Sequence, residues 1–162
     1  MKKKDLIVGV IFIFVVGTCL HFTYAWSSRN IVVGLFSAIN ESVWEHTKMV
    51  ILPTCLYYLY YYLKNKKSVN KDYLFSSMIV NLLVAIITMP FMFYFYSGAF
   101  GVELLIVDII IFLIAILLGT YYGNKYYLSK KKLPWIVALI IIVIIYTIFT
   151  LYQPHIPIFI AK

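Results

Sequence analysis

The chain has 162 residues, of which 64% are hydrophobic and only 12% charged, about half the charged fraction of a soluble domain. A chain this small has too much surface to cover with so few charges, which argues against soluble enzymes, disordered chains and secreted disulfide scaffolds. The formal charge of +8 does not point to nucleic acid, because eleven of the 14 basic residues fall in three clusters flanking apolar runs: Lys2/Lys3/Lys4, Lys64/Lys66/Lys67/Lys71 and Lys125/Lys130/Lys131/Lys132. These features describe a single transmembrane domain over residues 1–162.

A hydrocarbon core about 30 Å thick takes about 20 helical residues. The first run, residues 6–26, meets this length. Its lysine-rich start has the form of a signal peptide, but the run outlasts a usual h-region and no clear small-x-small cleavage site follows, so it reads as a retained helix. The second run, residues 49–63, is too short alone. Counting back about 20 residues from Leu63 reaches Trp44, so a helix is expected over 41–63, carrying Glu45 and His46 into the membrane's edge. Helices over 73–96, 102–122 and 135–152 complete an all-α bundle of five transmembrane helices. Pro53 and Pro90 fall inside the second and third helices, where each removes a backbone donor and predicts a packing kink. Cys19 and Cys55 lie in apolar segments without CxxC spacing and read as free thiols.

The lysine clusters precede the first helix, follow the second and follow the fourth, so all three share one side. The positive-inside rule makes that side the cytoplasm. The N-terminus is then cytoplasmic and the tail QPHIPIFIAK lies outside. Tyrosines at 57–62 and 121–127 mark inner ends, while Trp26, Trp44 and Tyr96 mark outer ends, as interfacial belts do.

Ionisable side chains inside a membrane are costly and are functional candidates by default. His21 lies five residues below Trp26, about 7.5 Å at 1.5 Å per residue, and Asp108 six below Val102, about 9 Å. With Glu41, Glu45, His46 and Lys48 they all fall in the outer half. On a helix over 41–63, Glu41, Glu45 and Lys48 share one face, and Ser42 and His46 a second. His21, Glu41, Glu45, His46 and Asp108 therefore form a candidate divalent-metal set able to activate water, with Glu45, His46 and Asp108 as candidate catalytic residues. Without metal, the same groups suit a general base with its orienting partner or a proton relay. Local roles compete for some of them. Ser42-Val-Trp-Glu45 has the form of a capping box, Glu41 suits a helix N-terminus, and Glu45 with Lys48 fits an i,i+3 pair. Asp108, flanked by Ile and Val, has no such local role. Glu103 and His155 sit at helix boundaries and are expected to be solvated.

The run Asn40-Glu-Ser-Val-Trp-Glu-His-Thr-Lys48, with His21-Phe-Thr-Tyr24, Val33-Gly-Leu-Phe-Ser37 and the Pro154–Phe159 ending, resembles a family of small bacterial polytopic membrane proteins of unknown function. That resemblance implies a multi-pass protein of the bacterial cell membrane and brings no activity with it. ExxxEH is also similar to the paired-Glu motif of membrane-embedded CAAX-type proteases, but lacks their adjacent Glu-Glu and following Arg. The zinc motif HxxEH fails because Ser42 stands where the first His would be. The expected function is a membrane-embedded, metal-dependent enzyme acting on a lipid or lipid-linked substrate. A small-solute or proton-coupled transporter and a non-catalytic or immunity-type membrane subunit are the alternatives. The bilayer is the expected partner, with no nucleic acid, and the oligomeric state is left open.

Overall fold

Apolar runs of this length become helices because a helix satisfies its own backbone polar groups. The computed structural model describes residues 1–161, and within them all regular structure is helical. In chain order the helices are α1 (Lys3–Trp26), the four-residue α2 (Ile31–Gly34), α3 (Val43–Lys48), α4 (Ile51–Lys64), α5 (Lys71–Phe100), α6 (Leu105–Leu128) and α7 (Trp135–Leu151), followed by a 3-10 turn at Pro157–Phe159. Three of them, α1, α5 and α6, at 24, 30 and 24 residues, are long and apolar enough to cross a membrane. Helix α7 is apolar but shorter, at 17 residues.

The second expected helix is the one that differs most. Instead of one element over 41–63, the chain starts α3 at Val43, with the Ser42 hydroxyl accepting from the Glu45 amide at 3.3 Å. The hydrogen-bond ladder then breaks at Met49–Val50, where the Met49 amide makes a tight bond back to the His46 carbonyl at 3.2 Å. Pro53 sits in the first turn of α4, where its missing donor is not needed, so the break precedes the proline. Pro90 lies within an unbroken α5. Helix α6 begins at Leu105 rather than 102, and α5 extends past both expected ends, from the Asn70 cap to Gly101 at φ 67°.

Helices α5 and α6 form an antiparallel pair, α1 packs on α4 and α6, and α7 rests on α5. Gly119 and Gly123, spaced as GxxxG, let α6 approach the α5 backbone. A Cβ would stand 2.7 Å from the Asn81 carbonyl at Gly119, and 2.9 Å from the Ser77 carbonyl at Gly123. The core between the helices is built from Ile13, Leu74, Ile79, Leu82, Ala85 and Ile116. Cys19 and Cys55 are free, as expected.

The two ends of the bundle differ chemically. At one end the Met1 ammonium donates to Asn124 Oδ1 at 2.8 Å, the Tyr57 hydroxyl donates to the Asp5 carbonyl, Lys71 lies over the Trp135 ring, and Lys132 pairs with Asp72 at 2.9 Å. These contacts gather the three lysine clusters together. The Asp72 carboxylate holds the Lys132 ammonium above the usual lysine range. The opposite end carries the C-terminal part of α1, α2, α3 and the 3-10 turn. Trp44, expected at an interface, instead packs among Tyr146, Phe149 and Phe159 at ring separations of 4.5, 5.3 and 4.9 Å.

The glycines of α5 and α6 differ in what a methyl group would meet. Gly119→Ala, pressed against backbone, is expected to destabilise the purified protein by about 1–3 kcal/mol. Gly98→Ala, in open space within α5, is expected to stabilise it by a few tenths up to about 1 kcal/mol. Thermal unfolding of both variants in detergent checks the opposite signs.

Candidate metal centre

Beyond Trp26 the chain doubles back over its own first helix. Ser37, fully buried, donates to the Leu20 carbonyl at 2.6 Å and accepts from the Tyr24 amide at 3.1 Å. Its hydroxyl thus lies between two groups that an unbroken helical turn would join directly. The segment 35–42 is fixed against α1 in this way, one residue from His21.

The same segment is anchored to α3 by a buried ion pair. Glu45 is fully buried and Lys48 is 2% exposed, one turn apart on α3 and in contact. The ammonium also donates to the Gly34 carbonyl at 2.7 Å and to Thr150 Oγ1 at 3.0 Å, so its three donors have three acceptors. The carboxylate accepts from the Ile39 amide at 3.0 Å and, more weakly, from Thr150 Oγ1 at 3.4 Å. The i,i+3 pairing of Glu45 with Lys48 was legible in the spacing. Its burial and its reach to α2 and α7 were not. Only half of the capping box forms, since Glu45 turns to Ile39 and the Ser42 amide is taken by Asn40 Oδ1 at 2.9 Å.

Glu41 precedes the first turn of α3 and does not share the Glu45 face, because the helix begins two residues after it. Its carboxylate instead meets two imidazoles. Oε1 lies 3.6 Å from His21 Nε2 and Oε2 lies 3.4 Å from His46 Nε2. The two rings stack at a centroid distance of 5.3 Å. One ligand atom from each of His21, Glu41 and His46 can be chosen so that all three lie within 4.8 Å of one another. His46 Nδ1 lies 2.8 Å from the Ser42 carbonyl, which can only accept. Nδ1 must therefore carry the proton in that bond, which orients the ring with Nε2 toward Glu41. The Glu41 side chain is 61% exposed, against 25% and 32% for the histidines. Beside it opens a cleft of about 380 Å³ lined by His21, Tyr24, Arg29, Ile39, Asn40 and Glu41 among others.

Three of the five residues expected at the site, His21, Glu41 and His46, are thus brought together. Glu45 is not in that group and spends its carboxylate on Lys48. Asp108 is not in it either: Oδ1 accepts from the Tyr96 hydroxyl at 2.8 Å, and that hydroxyl also accepts from the Leu104 amide at 3.2 Å. With α6 starting at Leu105, Asp108 lies in the first helical turn, where a carboxylate suits the helix dipole. Glu103 and His155 are exposed. Arg29, Tyr24 and Asn40 were not among the expected site residues: Tyr24 and Asn40 entered only through the motifs they belong to, and the position of Arg29 between apolar runs signals only solvation.

Fold and site together define an all-α protein with apolar helices compatible with a membrane and a His-Glu-His cluster at one end of its bundle. The chain belongs to a family of unknown function, DUF6512, whose model matches residues 1–162. Comparison with curated proteins and with solved structures yields no match.

Breaking the buried pair on one side is expected to cost more than removing both charges. Lys48→Met leaves the Glu45 carboxylate uncompensated and is expected to destabilise the protein by about 3–5 kcal/mol, while Glu45→Gln with Lys48→Met together falls closer to wild type. A double-mutant cycle on unfolding free energies measures the coupling, and additive effects would contradict a direct pair.

Proposed function

We propose that this protein is a multi-pass membrane protein that holds a divalent metal ion between His21, Glu41 and His46 and uses it in a hydrolytic reaction on a lipid or lipid-linked substrate. In this reading the chain crosses the cell membrane five times. The broken α3–α4 segment, residues 43–64, serves as the second crossing, since 22 residues span about 33 Å. The lysine-rich end faces the cytoplasm by the positive-inside rule, and the His-Glu-His cluster lies at the outer rim.

The observation that carries the metal assignment is the spacing of the ligand atoms. Separations of 3.4 and 3.6 Å are too long for good hydrogen bonds. They run to different oxygens of the one carboxylate, and one ligand atom from each of His21, Glu41 and His46 lies within 4.8 Å of the other two. Small side-chain rotations therefore bring the set to the edge of about 3.4 Å that a zinc ion with arms of about 2.1 Å requires. Two histidines and one carboxylate leave a fourth position open, the pattern of catalytic rather than structural zinc. A divalent ion at such a site polarises a substrate oxygen and lowers the pKa of bound water. The chain's own contribution is placement. The Ser42 carbonyl fixes the His46 tautomer, Ser37 and the Glu45–Lys48 pair fix the segment bearing Glu41, and the cleft gives a substrate access from one side. The transporter reading has less support, because the fully buried ionic groups are engaged in a static pair rather than a chain of exchangeable sites.

Two measurements test these statements separately. The purified protein is expected to carry stoichiometric zinc or cobalt. Glu41→Gln and His46→Ala are expected to weaken binding at least about tenfold, and Asp108→Asn to leave it unchanged. A wild type with no bound metal, or full retention by His46→Ala, overturns the metal centre. For orientation, in a background with Cys19 and Cys55 replaced by Ser, Ser68→Cys is expected to react with a membrane-impermeant maleimide only after permeabilisation, and His155→Cys in intact cells. The reverse pattern inverts the topology.

A further inference from the structure

Arg29 is the only arginine in the chain, and it lines the same cleft as His21 and Glu41. Among the described residues it makes no ion pair, since Glu41 faces the histidines and Glu45 faces Lys48. Its backbone is also unusual. Ser28 and Arg29 both take positive φ, at 56° and 60°, a left-handed conformation that is unfavourable for residues with a Cβ. Two bonds hold it there: the Arg29 amide donates to the Tyr24 carbonyl at 3.0 Å, and the Asn30 amide to Ser27 Oγ at 3.3 Å. Strain retained at the edge of a cleft is a reason to look for a ligand.

We infer that the cleft receives the phosphate of an anionic amphiphile, with Arg29 as its recognition group in the cleft that His21 and Glu41 also line. The inference rests on the metal-centre reading for the second contact. A planar guanidinium offers two parallel donors to a phosphate, and a phosphate has enough oxygens to meet the guanidinium and a divalent ion at once. The amphiphilic part follows from what adjoins the cleft. The Phe22 ring stands edge-on to His21 at 4.9 Å and stacks on Trp26 at 5.8 Å. Phe22 and Trp26 are 47% and 73% exposed. These rings form an apolar shelf beside the cleft, along which a hydrocarbon chain can lie while its headgroup stays at the centre. The same phosphate chemistry would be offered by inorganic phosphate, which has no chain for the shelf.

The test titrates full-length, zinc-loaded protein in neutral detergent with short-chain phosphatidic acid, short-chain phosphatidylcholine and inorganic phosphate. Wild type is expected to prefer phosphatidic acid. Arg29→Gln should bind it about tenfold more weakly or worse, with Arg29→Lys in between because it keeps the charge and loses the fork. Unchanged affinity in Arg29→Gln, with the variant unfolding at the wild-type temperature, overturns the proposal. Inorganic phosphate binding as tightly as phosphatidic acid, with the same Arg29 dependence, retains the phosphate and removes the amphiphile. Zinc content measured on the same samples separates the two proposals. Arg29-dependent binding by a protein that holds no zinc retires the metal centre alone, while Arg29-independent binding by zinc-loaded protein retires the Arg29 contact alone.

Discussion

The arrangement of the site end depends on the burial of Glu45 and Lys48. A carboxylate and an ammonium removed from water each lose hydration worth several kcal/mol, which is recovered only when their donors and lone pairs find partners. The pair finds partners in four places: its own helix, the Gly34 carbonyl at the end of α2, the Ile39 amide and the Thr150 hydroxyl on α7. The pair thereby ties α3 to the segment just before it and to α7, about 100 residues further along the chain. The ion pair therefore acts less as a source of net stability than as a registry device, which fixes where the segment between α2 and α3 must run. Thr47 adds to this on the next face, donating to the Trp44 carbonyl at 2.7 Å and meeting the Tyr146 hydroxyl at 2.6 Å. Glu41, four residues from Glu45, faces His21 and His46 because the chain on both sides of it is held.

Sequence reasoning recovered what depends on long-range averages. Apolar length marked every long helix, and charge placement anticipated that the three lysine clusters would gather, as the Met1–Asn124 and Asp72–Lys132 contacts show. It failed where one residue decides the geometry. Treating 41–63 as a continuous helix put Glu41 and Glu45 on one face. Starting the helix at Val43 with Ser42 as cap sends them in different directions, and the Ser-x-x-Glu pattern that marks this start was readable. Asp108 was overvalued for a different reason. An acid alone in an apolar run has no local explanation, and its actual partner, Tyr96, lies across a turn on the preceding helix, where no spacing rule reaches. The Gly119-x-x-x-Gly123 spacing was available in the sequence and marks a close backbone approach of α6 to α5. Arg29 carried no signal at all, since an arginine between apolar runs is ordinarily solvated.

Glu41 and Glu45 show how the same residue type is put to opposite uses within one helical turn. Glu45 has no exposed surface and a complete set of partners, so it has nothing left to offer a ligand. Glu41 is mostly exposed, lies just beyond hydrogen-bond distance of two imidazoles, and borders the cleft. A group that is to bind and release something must be incompletely satisfied in the protein alone, and such a group is tolerable only where water can reach it. The buried pair supplies rigidity, while the exposed Glu41 beside two half-buried imidazoles keeps lone pairs that no protein donor fills. Neither could take the other's place: exposing Glu45 would loosen the segment it anchors, and burying Glu41 would leave a charge without a compensating cation. The division follows from position alone, one carboxylate just before the Ser42 cap and the other one turn inside it.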